Sequence, residues 1–253
     1  MKKSLAVGAT IALSMTISNA ARAAESDFAK KHESSQWFAF ELRFAPYWPD
    51  IDSQASLGGA QPYHKTFGNM ARLLVSGEID AQVLKIPHFG SLGPAFSFGY
   101  TQMSAPAPLS DGSGLSAENT NLEVFPMYLV AVLRVDVFLR DFRVPFVPYV
   151  KAGLGFTLWR SFTDSGTSNF VDPITGKTQN AFGGTWGEQI AVGGMFNLDW
   201  IDRRAAAQLD DYTSINHTYL FGEWMLANLD NFGSPNGLRV GTNTFCGGLA
   251  FEF

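Results

Sequence analysis

Residues 242–253 read Thr-Asn-Thr-Phe-Cys-Gly-Gly-Leu-Ala-Phe-Glu-Phe. On an extended chain Phe245, Leu249, Phe251 and Phe253 fall on one face, with Gly247 as a gap. Thr244, Cys246, Gly248, Ala250 and Glu252 fall on the other. A period of two in polarity marks a strand whose two sides meet different surroundings. A soluble edge strand seldom ends on an exposed Phe, so the apolar face calls for a neighbour other than water.

The same alternation recurs upstream. In a first strand over 37–45, Phe38, Phe40, Leu42 and Phe44 oppose Glu41 and Arg43. A second, over 70–86, sets Leu73, Val75, Ile79, Ala81 and Val83 against Arg72, Ser76, Glu78, Asp80 and Gln82. Further strands are expected at 91–103, 120–139, 146–160, 185–199, 217–229 and 238–253, separated by connections rich in Gly, Pro, Ser and Asp. Among these connections 104–118 and 161–183 read as long loops and 141–145 as a short turn. Alternating long and short connections suit a membrane barrel, with loops at one end and turns at the other.

In hydrocarbon every backbone donor and acceptor must be paired within the protein, so a sheet spans only by closing on itself. The expected fold is therefore all-β: an eight-stranded antiparallel up-and-down transmembrane β-barrel over 37–253. One short periplasmic helix is expected at 200–212, where Ile201, Ala205 and Leu209 recur every four residues. An eight-stranded interior is just wide enough to be filled by side chains. The polar faces then turn Glu41, Arg43, Arg72, Glu78, Asp80, Arg134, Asp136, Lys151, Glu223 and Glu252 into a lumen network in which opposite charges neutralise one another. Trp37, Tyr47, Trp48, Trp159, Trp186 and Trp200 flank strand ends and read as two interfacial girdles.

The amino terminus carries Lys2 and Lys3, an apolar or small run from Leu5 to Ile17, and Ala21-Arg22-Ala23. This is the pattern of a signal peptide, assigned to 1–24, with a polar periplasmic lead-in at 25–36. Its removal takes away three basic residues and no acidic one, leaving 15 basic and 23 acidic side chains, a charge of −8. That balance argues against nucleic acid as a partner. The single cysteine, Cys246, forms no internal disulfide, so an exported fold needs another source of stability.

The alternating, aromatic-ended 242–253 segment resembles the closing strand of bacterial outer-membrane β-barrels. The resemblance implies that Phe245, Leu249, Phe251 and Phe253 are read by the barrel-insertion machinery. The segments Asp199-Trp200-Ile201-Asp202-Arg203-Arg204 and Asn216-His217-Thr218-Tyr219-Leu220-Phe221 resemble an outer-membrane β-barrel family described from myxobacteria. More broadly, the chain is similar to small eight-stranded barrels of the OmpA, OmpX and OmpW kind. Such families imply an integral outer-membrane location among outer-membrane lipid, with external loops available to an extracellular partner. They bring no catalytic residue and no substrate.

Chemistry beyond this is sparse. Gly176-Lys177-Thr178 lacks the first glycine of a phosphate loop, whose place is taken by Val171. His32, His64, His88 and His217 fall on different ends of the expected barrel, so no metal site and no cofactor is expected. A hydrolase at the external rim would draw on His64, Asp111 and Asp164, which nothing pairs in sequence. The expected function is non-enzymatic: a barrel with a filled polar lumen and long external loops, serving envelope structure or surface interaction. A narrow channel for small or apolar solutes is the alternative, and a surface hydrolase ranks behind it.

Overall fold

The computed structural model describes residues 37–108, 114–171, 176–201, 208, 212–234 and 237–253. The expected signal peptide and lead-in, Asp111, most of the expected helix at 200–212 and the middle of the 234–237 loop lie outside the described residues.

Eight long strands follow one another: β1 (Phe38–Tyr47), β2 (Arg72–Ala81), β3 (Gly90–Pro108), β4 (Leu115–Arg134), β5 (Phe146–Thr163), β6 (Phe182–Asn197), β7 (His217–Leu229) and β8 (Thr242–Glu252). Each pairs antiparallel with its neighbour in sequence, and β8 pairs back onto β1, so the sheet has no open edge. From Gly187 the register leads to Gly155, Tyr128, Ser97, Glu78, Glu41, Ala250, Tyr219 and finally Asn197, ten residues further along β6. A stagger of ten across eight strands requires strongly tilted strands and leaves an interior that side chains can fill.

Burial follows the alternation in sequence. Leu73 is 62 % exposed, Ile79 57 % and Leu154 52 %, whereas Glu41 and Lys151 are fully buried. Phe40, Phe98, Leu129, Val150, Ile190 and Phe245 extend the exposed apolar surface around the barrel. The apolar side chains of the belt thus look outward, and Glu41 and Lys151 look in. The interior is itself layered. Tyr47, Leu74, Met103, Leu122, Val124, Tyr128, Met225 and Leu229 fill the half nearer the β1–β2 loop, and Ile51 and Tyr63 of that loop join the same cluster. The tyrosine hydroxyl of Tyr47 donates to the Val240 carbonyl at 2.5 Å across this end.

Several expectations need correcting. Tyr47 is buried in the lumen and Trp159 is half-buried, so neither belongs to an outer girdle, whereas Trp37, Trp48, Trp186 and Trp200 are exposed. Most of the expected loop at 104–118 is a hairpin, because the ladder between β3 and β4 continues to Pro108 and Leu115, with an irregularity at Pro106/Pro108. Beyond the apolar belt both faces of a strand can meet water, so pairing persists without alternation. Strand two ends at Ala81, and Leu84–Ile86 pairs separately with β3. Strand four ends at Arg134 and the chain turns into a short helix, α2 (Val137–Arg140), the first helix, α1 (Pro62–Phe67), lying in the β1–β2 loop. The connections at the β1 start are 82–89, 135–145 and 198–216, so that end is not uniformly short-turned.

Candidate functional site in the lumen

The inward positions of six strands converge on one buried charge network. Arg43 on β1 pairs with Glu41 Oε2 at 2.6 Å and Glu78 Oε2 at 3.2 Å, and with Glu223 on β7. Lys151, from β5 on the opposite wall, places Nζ 2.5 Å from Glu78 Oε1, 2.8 Å from Glu41 Oε2 and 3.5 Å from Glu223 Oε2. Arg134 on β4 reaches Asp80 Oδ2 at 2.8 Å, Glu252 Oε1 at 3.0 Å and Glu41 Oε1 at 3.4 Å. Glu41 therefore joins the set around Arg43 and Lys151 to the set around Arg134.

Neutral donors add to the coordination of Glu223 and Glu252. Tyr149 donates to Glu223 Oε2 at 2.8 Å, Tyr219 to Glu252 Oε2 at 2.9 Å, and Gln82 Nε2 to Glu252 Oε1 at 2.8 Å. Five carboxylates face three cations, so mutual neutralisation is partial, and these donors stabilise Glu223 and Glu252 by hydrogen bonds. Buried ions are tolerated only when their remaining valences are met in this way. Tyr149 and Tyr219 share the inward parity of Lys151 and Glu223, which is the signal in sequence that marks them as lumen residues.

Glycine makes room for the network. A Cβ at Gly193 would sit 2.6 Å from the Glu223 Cβ and 2.8 Å from the Tyr149 ring, so this position must be bare for those two side chains to meet. A cavity beside Arg43, touched by Ser76, Ser97, Tyr128 and Cys246, measures about 10 Å³, room for at most one water molecule.

Eight of the ten residues expected in the network are brought together: Glu41, Arg43, Glu78, Asp80, Arg134, Lys151, Glu223 and Glu252. Two are not. Arg72 begins β2 at the opposite end and donates to the Phe67 carbonyl at 3.3 Å. Asp136 has passed the end of β4, sits at the N-cap position of α2 and pairs with Arg140 at 3.0 Å. Partial burial pushes the Asp136 carboxyl above its ordinary range, with Arg140 opposing the shift. Of the closing-strand positions, Phe245, Leu249 and Phe253 are exposed and Phe251 is half-buried on the same face.

The two described rim candidates, His64 and Asp164, are not brought together. His64 in α1 donates its backbone N–H to Asp52 at 2.9 Å, Asp164 accepts from the Asn119 backbone at 3.2 Å, and no described hydrogen bond joins the two. His88 contacts Asp141 at 3.2 Å and His217 contacts Asp199 at 2.6 Å, each near a different connection. Among the described residues no group of three or more His, Cys, Asp or Glu has the arrangement of a metal site.

No family model matches the chain, and no curated protein matches it. Solved structures similar to it include Neisserial surface protein A at 11 % identity and a TM-score of 0.45, covering 87 % of this chain and 98 % of that one. The attachment invasion locus protein Ail of Yersinia pestis, in complex with a heparin analogue, is similar at 10 % identity and a TM-score of 0.42, covering 86 % and 97 %. The outer membrane protease OmpT of Escherichia coli matches at 10 % identity and a TM-score of 0.34, covering 86 % and 94 %. At these identities the likeness concerns the fold alone.

Proposed function

We propose that this chain is an integral outer-membrane β-barrel whose lumen is closed, and that it acts through its external end, in envelope structure or surface interaction, and not by catalysis or conduction. The observation that carries the reading is the filling of the interior. Fully buried charges cross-brace opposite walls, and the apolar layer containing Tyr47, Met103 and Leu229 seals the other half. The continuous outward apolar surface supports a lipid setting, since soluble monomers seldom expose apolar patches of this extent. A sheet without an edge meets the requirement that hydrocarbon places on the backbone.

The external end then comprises the β1–β2 loop, the β3–β4 hairpin, the 164–181 connection and the 230–241 connection. Tyr100 bonds Glu123 within the hairpin at 3.1 Å, and Arg160 to Glu123 and Ser165 to Glu118 tie the hairpin to its neighbour. This gives an extracellular partner a shaped surface rather than loose chain. Reconstitution of the full chain in planar bilayers tests the closed lumen: the expected record is a flat baseline, and steady single-channel steps reject it in favour of a solute channel. Heat-modifiable migration of the chain in isolated outer membranes tests the location, and recovery in the soluble fraction rejects it.

A further inference from the structure

Resting on the outer-membrane reading, we propose that a lateral groove near the external rim of the barrel binds an amine-bearing amphiphile of the surrounding leaflet, with Glu188 holding the ammonium head and Ile190 and Leu226 the start of the chain. The groove encloses about 620 Å³, in the range of small-ligand sites, and lies on the outward side of β6–β8 beneath Trp48, Asp50 and Arg239. Its walls divide by chemistry. Ile190 and Leu226 are cross-strand partners and both exposed, giving an apolar floor. The next rung towards the loops is Glu188 opposite Asn228, whose Nδ2 donates to Glu188 Oε1 at 3.0 Å.

Glu188 is out of place for a lipid-facing position. Its neighbours on the same face are Trp186 and Ile190 along β6 and Leu154 across on β5, all exposed apolar side chains. Glu123, a carboxylate of the same outward parity on β4, is buried and has Arg160 beside it, whereas Glu188 is exposed and has a neutral amide alone among the described residues. A carboxylate against hydrocarbon is costly unless a cation accompanies it. Arg239, the basic residue of the groove, is engaged elsewhere, by Asp230 at 3.4 Å and Asp50 at 3.7 Å. Negative charge therefore exceeds positive in the groove, and an ammonium group fits it where a phosphate does not.

The test uses the full chain in phosphatidylcholine nanodiscs, with brominated single-chain amphiphiles that differ only in the head: ammonium, hydroxyl or phosphate. Bromine quenches tryptophan, and the part of the signal lost in Trp48→Phe reports the groove. The expected result is half-quenching of that part at a mole fraction roughly fivefold lower for the ammonium probe than for the alcohol. Glu188→Gln is expected to abolish the preference while keeping heat-modifiable migration, and Glu118→Gln on the external hairpin to leave it intact. Equal quenching by all three heads, a preference for phosphate, or an unchanged Glu188→Gln overturns the proposal. A chain that shows no heat-modifiable migration in the nanodisc overturns the membrane reading itself, and the groove proposal with it.

Discussion

Glu41 and Glu78 are direct partners across β1 and β2, two carboxylates side by side on the inner wall of the barrel. Like charges in that position repel, and Lys151 from the far wall reaches both. Lys151→Met is therefore expected to destabilise the barrel by about 3–5 kcal/mol, the cost of leaving buried charge unpaired. Adding Glu78→Gln to that variant is expected to restore part of the loss. Urea unfolding in lipid vesicles measures both, and equal stability of the single and double variants would contradict the coupling.

Arg at Ile79 or Leu154 is expected to block assembly, because both positions look outward from the belt and the cost at mid-membrane is about 2–4 kcal/mol. Arg at Gln61, an exposed loop position, is expected to be tolerated. Heat-modifiable migration of the three variants decides it, and equal tolerance would reverse the facing of the strands.

Gly193→Ala is expected to cost about 1–3 kcal/mol through overpacking, since the added methyl would also lie 2.7 Å from the Gly222 carbonyl oxygen. Gly222→Ala, whose Cβ meets nothing within 4 Å, is the control and should unfold within about 0.5 kcal/mol of the parent. A matching loss in both would show that glycine serves the strands by some means other than space.

Tyr47→Phe removes the donor to the Val240 carbonyl and is expected to lower stability by about 0.5–1.5 kcal/mol. The charge network lies in the other half of the lumen, so the variant should leave the effect of Lys151→Met unchanged. Additivity of the two in unfolding experiments checks this.

The facing of the strands was legible in the sequence because a buried sheet enforces a strict period of two, and Glu41, Lys151 and Leu73 each lie where that period puts them. Strand ends were not. Between Ser104 and Glu118 the sheet outlasts the alternation, and at Val135 the alternation outlasts the sheet. Tyr47 shares the parity of Glu41 and Arg43, and that parity outweighs the general preference of aromatic rings for interfaces. Partners within the network were out of reach, because Arg134 and Glu252 are 118 residues apart and meet only through the stagger of the closed sheet. No property of either residue announces that stagger.

The seam between β1 and β8 joins segments some of whose hydrogen-bonded residues are the most distant among the described residues: Trp37 and Phe38 donate to the Phe253 carbonyl, and Phe253 donates to Phe38. Zippering from one hairpin to the next can build the other seven pairings in order, but this one waits until both flanks exist. Until it forms, a partly made ribbon offers two unsatisfied margins to any passing strand, and closure by such remote contacts is intrinsically slow. The meeting of these margins is therefore the step that ends the ribbon's exposure.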